Sequence, residues 1–357
     1  MSGFEPVAEA RRTELRDRFR ELPACADERD VDLVLVAGDL FDSATPSELD
    51  LDIARETLRG LTDGGNRPVV VVPGNHDPCS GEGSPWHSMP AGVDVMLAPR
   101  FEAPLEFDIR GLRVHVHGFA HDPDVEPDPV RSYRRLGHGL HVAVLHASVA
   151  GNPEWTGGRG LRLTLEDLGH IDADYVALGD HHAFRTSGFG GIPACYPGSF
   201  AAVAIDEAGD RGCALAEVRP EAPPVVTLLP SGVAPLVALG DVDAGDADGD
   251  LAVAERIGEC MRGRTGYPAV TITGQPAFAL DAERVRRALE ERFGFAHVVD
   301  ATRFIDSDHV ARLAERPTVE GHVARLGRTR LAAAASDEDR TVADRALRMA
   351  LRAMEVE

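Results

Sequence analysis

The sequence predicts an α/β fold built on parallel strand pairing. Three observations point there: short valine-rich apolar runs recur along the first half of the chain, a helix-patterned segment separates the first two, and four of the runs end in metal-binding side chains. The runs lie at 33–37, 69–72, 114–116, 142–145 and 175–178. Each is too short for a helix and rich in valine, which suits buried strands. Between the first two, 47–61 reads as a helix opened by Ser47 as N-cap. Strand, helix, strand is a crossover unit and implies parallel pairing.

The chain opens on a charged helical pattern, with Val7, Leu15, Phe19 and Leu22 at roughly helical spacing until Pro23 interrupts. This stretch has no apolar core of the kind that opens a secretory leader. No run of some eighteen apolar residues exists to span a membrane. From 220 to 235 the chain turns proline-rich and then passes through acidic GDVDAGDADGD, which reads as a linker or a loop into a second unit. That unit is expected to hold a helix over 251–261, a strand over 269–272, a helix over 281–293 and a strand over 297–299. A last helix starts near Ser336, whose spacing to Asp339 fits a capping box. Its apolar positions Val342, Ala346, Met349 and Ala350 fall along one face.

Composition narrows the function. With 43% apolar residues the chain can build a core, so wholesale disorder is excluded. The five cysteines are widely spaced without a CxxC pair, which suggests reduced thiols in a cytoplasmic protein and no thiolate zinc site. The net charge is −22 and no lysine occurs. Such a surface does not look like a generic nucleic-acid binder, whose affinity comes from basic groups meeting phosphates. It does suit solubility and, where carboxylates cluster, hard divalent cations.

The chemistry sits where the runs end. VDLVLVAGD ends at Asp39, PVVVVPGNHD in Asn75, His76 and Asp77, HVAVLH at His146, and DYVALGDHH in Asp180, His181 and His182. In α/β sheets, loops beyond the carboxyl ends of strands can converge on one ligand. Gly38, Gly74 and Gly179 let the backbone turn as each strand leaves the sheet. Carboxylate, amide oxygen and neutral imidazole form a mixed shell suited to Mn²⁺, Fe²⁺ or Zn²⁺ rather than Ca²⁺. A carboxylate such as Asp39 can bridge two ions about 3.5–4 Å apart, which polarise phosphoryl oxygens and generate hydroxide. A spare histidine beside them can protonate a leaving alkoxide. Taken singly, Asp39 is a turn residue, His146 a core histidine, and His181 and His182 loop histidines. GNHD directly after VVVVP is more specific, and the four motifs in this order point to a metal centre. His115, His117, His138 and His141 are assigned structural or surface roles.

GDLFD, GNHD, a strand-terminal histidine and GDHH, in this order, resemble the calcineurin-like metallophosphoesterase signature. The phrases VDLVLVAGDLFD, DYVALGDHH and YPGS are similar to those of the SbcD-type DNA repair exonucleases, and the resemblance covers roughly 14–218. It implies two packed, mixed β-sheets flanked by helices, a four-layer sandwich, with a smaller C-terminal α/β accessory domain. The expected division is a catalytic domain over 1–219, an accessory capping domain over 220–305 and a C-terminal helical segment over 306–357. Carried over residue by residue, Asp39 bridges two divalent ions, with Mn²⁺ the expected metal. Asn75, His146 and Asp180 complete one site, and His182 belongs to the other. His76 is the acid near the leaving group, with Asp77 orienting it. Tyr196, Gly198 and Ser199 border the substrate groove, although YPGS is equally a good turn.

Two departures matter. The family carries histidine where this chain has Asp180, and His181 is the register alternative. No Asp-x-His precedes Asp39, where the family places one on a first strand. The second site is therefore expected to keep only Asp39 and His182. Either the chain starts downstream of an active enzyme's start, or it is a one-metal or inactive relative; the presence of every other ligand speaks for the first. The resemblance implies a metal-dependent phosphodiesterase, a DNA exonuclease subunit that works with an SbcC-like ATPase and pairs as a homodimer, with no membrane partner. The alternatives are a small-molecule phosphoesterase and a catalytically impaired scaffold subunit.

Overall fold

The computed structural model describes residues 3–80, 84–120, 129–150, 160–303 and 307–355. The chain divides into two compact units, Met1–Val233 and Ala234–Glu357. The boundary expected at 305/306 lies outside the described residues.

The first unit begins with α1 (Ala8–Arg20) and α2 (Leu22–Glu28). Pro23 opens α2 rather than ending the helical run, because in a first turn its missing N–H has no intrahelical partner to lose. Next come β1 (Val34–Ala37), α3 (Glu48–Leu61), β2 (Val69–Val72) and β3 (Val93–Val95). Ser47 caps α3 as expected, its Oγ accepting from the Asp50 N–H at 3.2 Å. The three strands form a parallel sheet in the order β1-β2-β3, with β1 at its edge.

The second sheet takes β4 (Leu105–Ile109), β5 (Leu112–Gly118), β6 (Leu140–Val149), β7 (Leu161–Leu163), β8 (Tyr175–Gly179) and β9 (Ala194–Cys195). Its order is β4-β5-β6-β8-β9, with β7 paired to the end of β6. Only β4 runs antiparallel to its neighbour, so the sheet is mixed. Short helices α4 (Pro129–Ser132) and α5 (Leu165–Gly169) and an antiparallel hairpin, β10 (Gly212–Arg219) with β11 (Ala222–Pro230), complete the unit.

Strand alternation explains the layering. Val70 and Val72 of the first sheet pack with Val116, Val142, Val144 and Ala177 of the second. Val69 and Val71 point the other way, onto Ala54, Leu58 and Leu61 of α3. On the far side of the second sheet, Ala143, Leu145, Val176 and Leu178 meet Tyr133 and Leu168. Helices, sheet, sheet, helices is the expected four-layer order. Both faces of β2 and β6 are buried, which is why their sequences read as continuous apolar runs.

The same alternation turns His115 and His117 away from the inter-sheet core. They meet His141 across the β5–β6 pair, all three buried, with ring centroids 4.5 and 5.2 Å from that of His141. Of the two roles expected for these histidines, the structural one holds for these three.

The proline-rich stretch from 220 to 235 is not a linker. Most of it is β11, whose side chains alternate between exposed and half-buried. Pro223 and Pro224 lie beside an irregularity between Glu217 and Arg219, and Pro230 is the last residue of the strand. Those are the positions where a missing N–H is tolerated. The first part of GDVDAGDADGD likewise belongs to a strand, since Val242 is buried.

The second unit contains β12 (Leu236–Asp243), α6 (Asp250–Cys260), β13 (Tyr267–Thr273), α7 (Ala282–Phe293) and β14 (His297–Asp300), followed by α8 (Ser307–Ala314), α9 (Val319–Ala332) and α10 (Asp337–Glu355). The strands are parallel in chain order, and α6 and α7 bury Val253, Ile257, Val285 and Leu289 against them. Ser336 caps α10, accepting from the Asp339 N–H at 3.0 Å. The buried face of α10 differs from expectation: Leu347 and Leu351 pack inward, while Val342 and Met349 are 63% and 55% exposed. No described helix is long and apolar enough to cross a membrane.

Candidate metal centre

β1, β2 and β8 each release a loop at the same end of the packed sheets, and His146 projects from β6 among them. Asp39 follows β1 by two residues and Asp180 follows β8 directly. Both hold left-handed backbone angles, φ 51° and 90°, a conformation that costs a non-glycine residue on the order of 1–3 kcal/mol and clusters at functional sites. The loops approach so closely that side chains are excluded at two points. A Cβ on Gly74 would stand 2.1 Å from Asp39 Oδ1, and one on Gly179 would stand 1.7 Å from the Ala37 carbonyl oxygen.

His146 is the hub. Its Nδ1–H donates to the Ala37 carbonyl at 2.8 Å, which fixes the tautomer and leaves Nε2 to face the loops. Around Nε2 stand Asn75 Oδ1 at 2.9 Å, Asp39 Oδ2 at 3.1 Å and Asp180 Oδ1 at 3.7 Å. Burial opposes charge on His146, but the hydrogen bond and charge of Asp39 outweigh it and raise its pKa. Burial likewise works against charge on Asp39, and His146 with the His76 N–H outweighs it, lowering that pKa. The second oxygen of Asp39 accepts from the His76 N–H at 2.8 Å, and Asp180 Oδ2 accepts from the Ser148 hydroxyl.

The donor set fits a divalent ion. Ligand atoms about 2.1 Å from an octahedral ion stand roughly 3 Å apart across a right angle, close to the spacing of Nε2 from Asn75 and Asp39. Among the described residues, no group of three or more histidine, cysteine, aspartate or glutamate side chains is placed to hold a metal ion without a further donor such as the Asn75 amide. Here Asp180 stands off at 3.7 Å, and the nearest oxygen to Nε2 belongs to an amide. Asp39, Asn75 and Asp180 all stand around His146. The ring of His181 packs edge-on against Tyr196.

His182 lies on the same loop, half exposed, and its Nδ1–H donates to Glu207 Oε1. That bond raises the pKa of His182, with the Asp39 charge adding to it. His76 is also half exposed, and its Nδ1 faces Asp42 at 3.2 Å. Asp77 does not orient His76. Its fully buried carboxylate accepts the N–H groups of Gly74 at 2.7 Å, Phe41 at 3.0 Å and Asp39 at 3.3 Å, tying the loop after β1 to the loop after β2. Burial pushes its pKa up to about 6 against those bonds.

Tyr196 does not border a groove either. It is fully buried, and its hydroxyl is spent on the β6 backbone, donating to the Ala147 carbonyl and accepting from the Val149 N–H. Gly198 and Ser199 form the turn that braces the His182 loop, with the Ser199 N–H donating to the His182 carbonyl at 2.9 Å. Sequence reasoning missed Asp42, Ser148 and Glu207. Asp42 lay inside GDLFD, and Ser148 sits two residues after His146 on the same strand face. Glu207 carried no local signal.

Residues 9–184 match the calcineurin-like phosphoesterase family. Over 222 residues the chain is 30% identical to the DNA double-strand break repair protein Mre11 of Haloferax volcanii, covering 59% of this chain and 46% of that one. The Mre11 protein of Archaeoglobus fulgidus is 30% identical over 212 residues, 55% of this chain and 47% of its own. The SbcD component of the SbcCD nuclease of Bacillus subtilis is 27% identical over 241 residues, 56% of this chain and 59% of its own. The chain spans about half the length of these relatives. Calcineurin-like phosphoesterases bind divalent metals, commonly two. The four-layer fold, the ligands gathered at its strand ends and this match agree: residues 9–184 are a calcineurin-like metallophosphoesterase domain.

Proposed function

We propose that the chain is a divalent-metal-dependent phosphodiesterase acting on DNA ends, an exonuclease subunit that works in the cytoplasm with an SbcC-like ATPase. The observation that carries the reading is the meeting of Asp39, Asn75 and Asp180 oxygens at His146 Nε2. In this reading Asn75, His146 and Asp180 would hold one ion, and Asp39 with His182 would hold a second. Bound there, two Mn²⁺ ions, suited to this oxygen and imidazole shell, supply Lewis acidity toward phosphoryl oxygens and a hydroxide nucleophile.

The chain's own residues do the rest. His76, held through Nδ1 by Asp42, donates the proton that the leaving alkoxide needs. Asp77 keeps the Asp39 and Asn75 loops in register. DNA as substrate is taken from the relatives named for DNA break repair and as a nuclease subunit, and the ATPase partner from the resemblance to the SbcD-type exonucleases. A homodimer rests on the same likeness. The charge of −22 supports a second reading, a phosphoesterase for small molecules, since such a surface repels DNA.

The test is Mn²⁺-dependent nucleotide release from linear duplex DNA, beside closed circular duplex and bis(p-nitrophenyl) phosphate, with His146→Ala as control. Release from linear DNA that disappears in His146→Ala supports the nuclease. Turnover of the small ester alone supports the second reading. No turnover with about one ion bound per chain would make the protein an impaired scaffold.

A further inference from the structure

Glu207 lies far from every motif in the sequence, in the segment between the YPGS turn and β10, yet its largely covered carboxylate meets His182, two residues from Asp180. Its side chain is 13% exposed. One oxygen accepts from His182 Nδ1 and the other from the Val203 N–H at 2.8 Å. The carbonyl of His182 is held as well, by the Ser199 N–H and by the Arg211 guanidinium. Arg211 reaches back to the Ala208 carbonyl next to Glu207. His182 is therefore fixed at its backbone and at its ring, although its side chain is 53% exposed. An exposed histidine has no packing reason to be held at both ends.

His146 shows the same device in another form. There a backbone carbonyl takes Nδ1–H and Nε2 is presented. At His182 a carboxylate takes that part, which fixes the tautomer and also makes the free nitrogen a stronger donor to a cation. We propose that Glu207 is a positioning residue: it locks His182 in the Nδ1–H tautomer and aims Nε2 at the ion shared with Asp39. The ion rests on the nuclease reading above; the tautomer does not. Because Asp39 and His182 are the two ligands assigned to that second site, the support behind His182 matters more than it would in a fuller shell.

The experiment separates the two. In the metal-free chain at alkaline pH, where the ring is neutral, long-range ¹H–¹⁵N correlation spectra report the His182 tautomer, assigned by its loss in His182→Gln. Wild type is expected to show Nδ1–H. Glu207→Ala should release the ring to a tautomer mixture, and Glu207→Gln, which keeps an acceptor, should retain Nδ1–H. In Mn²⁺ titrations, Glu207→Ala should weaken the weaker site about 10–100-fold, with Glu207→Gln closer to wild type. An unchanged tautomer in Glu207→Ala overturns the proposal. A changed tautomer with unchanged Mn²⁺ affinity overturns its metal-directed half. A wild type that binds no Mn²⁺ while the tautomer still answers to Glu207 sinks the nuclease reading and upholds the positioning of His182.

Discussion

At His76, Nδ1 faces Asp42 at 3.2 Å and half of the side chain is open to solvent, which leaves it accessible for the acid's role proposed for it. His76→Ala should lower kcat on DNA by about 10²–10⁴-fold. It should nearly spare bis(p-nitrophenyl) phosphate, because nitrophenolate leaves without protonation. Equal losses on both substrates would remove His76 from the acid's role. Asp77 lives by different rules, since three backbone N–H groups close on its buried carboxylate. Asp77→Ala leaves all three without an acceptor and should cost about 3 kcal/mol or more of stability, read by urea unfolding. A variant as stable as wild type would mean that the loops can satisfy those groups elsewhere. The sequence made both residues visible through GNHD, but their division of labour follows from which way each side chain turns.

Two elements make predictions of their own. In the β5–β6 pair, burial joined by the charges of His141, His115 and Arg135 pushes His117 down to about 4, and burial lowers His141 as well. Tyr133 and Phe101 cover the rings, and Glu106 and Asp174 are the nearby carboxylates. The folded chain resists protonation of His117 and His141, while the unfolded chain takes up protons near the ordinary value of 6.5. Stability is therefore full above that value and is lost as pH falls through it toward 4. For His117 alone the loss is on the order of 3 kcal/mol. Urea midpoints should fall between neutral and mildly acid pH, and His117→Gln should flatten that slope. A slope unchanged in the variant would place the acid sensitivity elsewhere. In α10, Leu351→Ala should destabilise the second unit by about 2–5 kcal/mol. Exposed Met349→Ala should stay within about 0.5 kcal/mol. The sequence placed the helix and its cap correctly and chose the wrong stripe, because a nineteen-residue amphipathic pattern rich in alanine offers more than one apolar line.

For the molecule as a whole, charge limits what the chain can do unaided. With a net charge of −22, its grip on DNA should rest on few phosphate contacts. The slope of log affinity against log salt should be shallower than about −3, as for some three phosphates. Filter binding of the chain without a partner measures this. A steep slope would reveal a basic track that the composition conceals, and with it a chain that holds DNA by itself.

What the sequence determined by itself was local and periodic. The valine runs, the Ser47 cap and the strand-end positions of Asp39, Asn75, His146 and Asp180 follow from neighbours a few residues apart, so they could be read along the chain. The proline-rich strand β11 could not, because its register with β10 across the hairpin decides where a proline is tolerated. Nor could the partners of the site's side chains. Asp77 turns to backbone amides, Tyr196 to the β6 backbone, and Glu207 reaches His182 across twenty-five residues. A hydrogen bond depends on direction and on a distance of about 3 Å, and only the folded arrangement of strands and loops brings such groups within that distance.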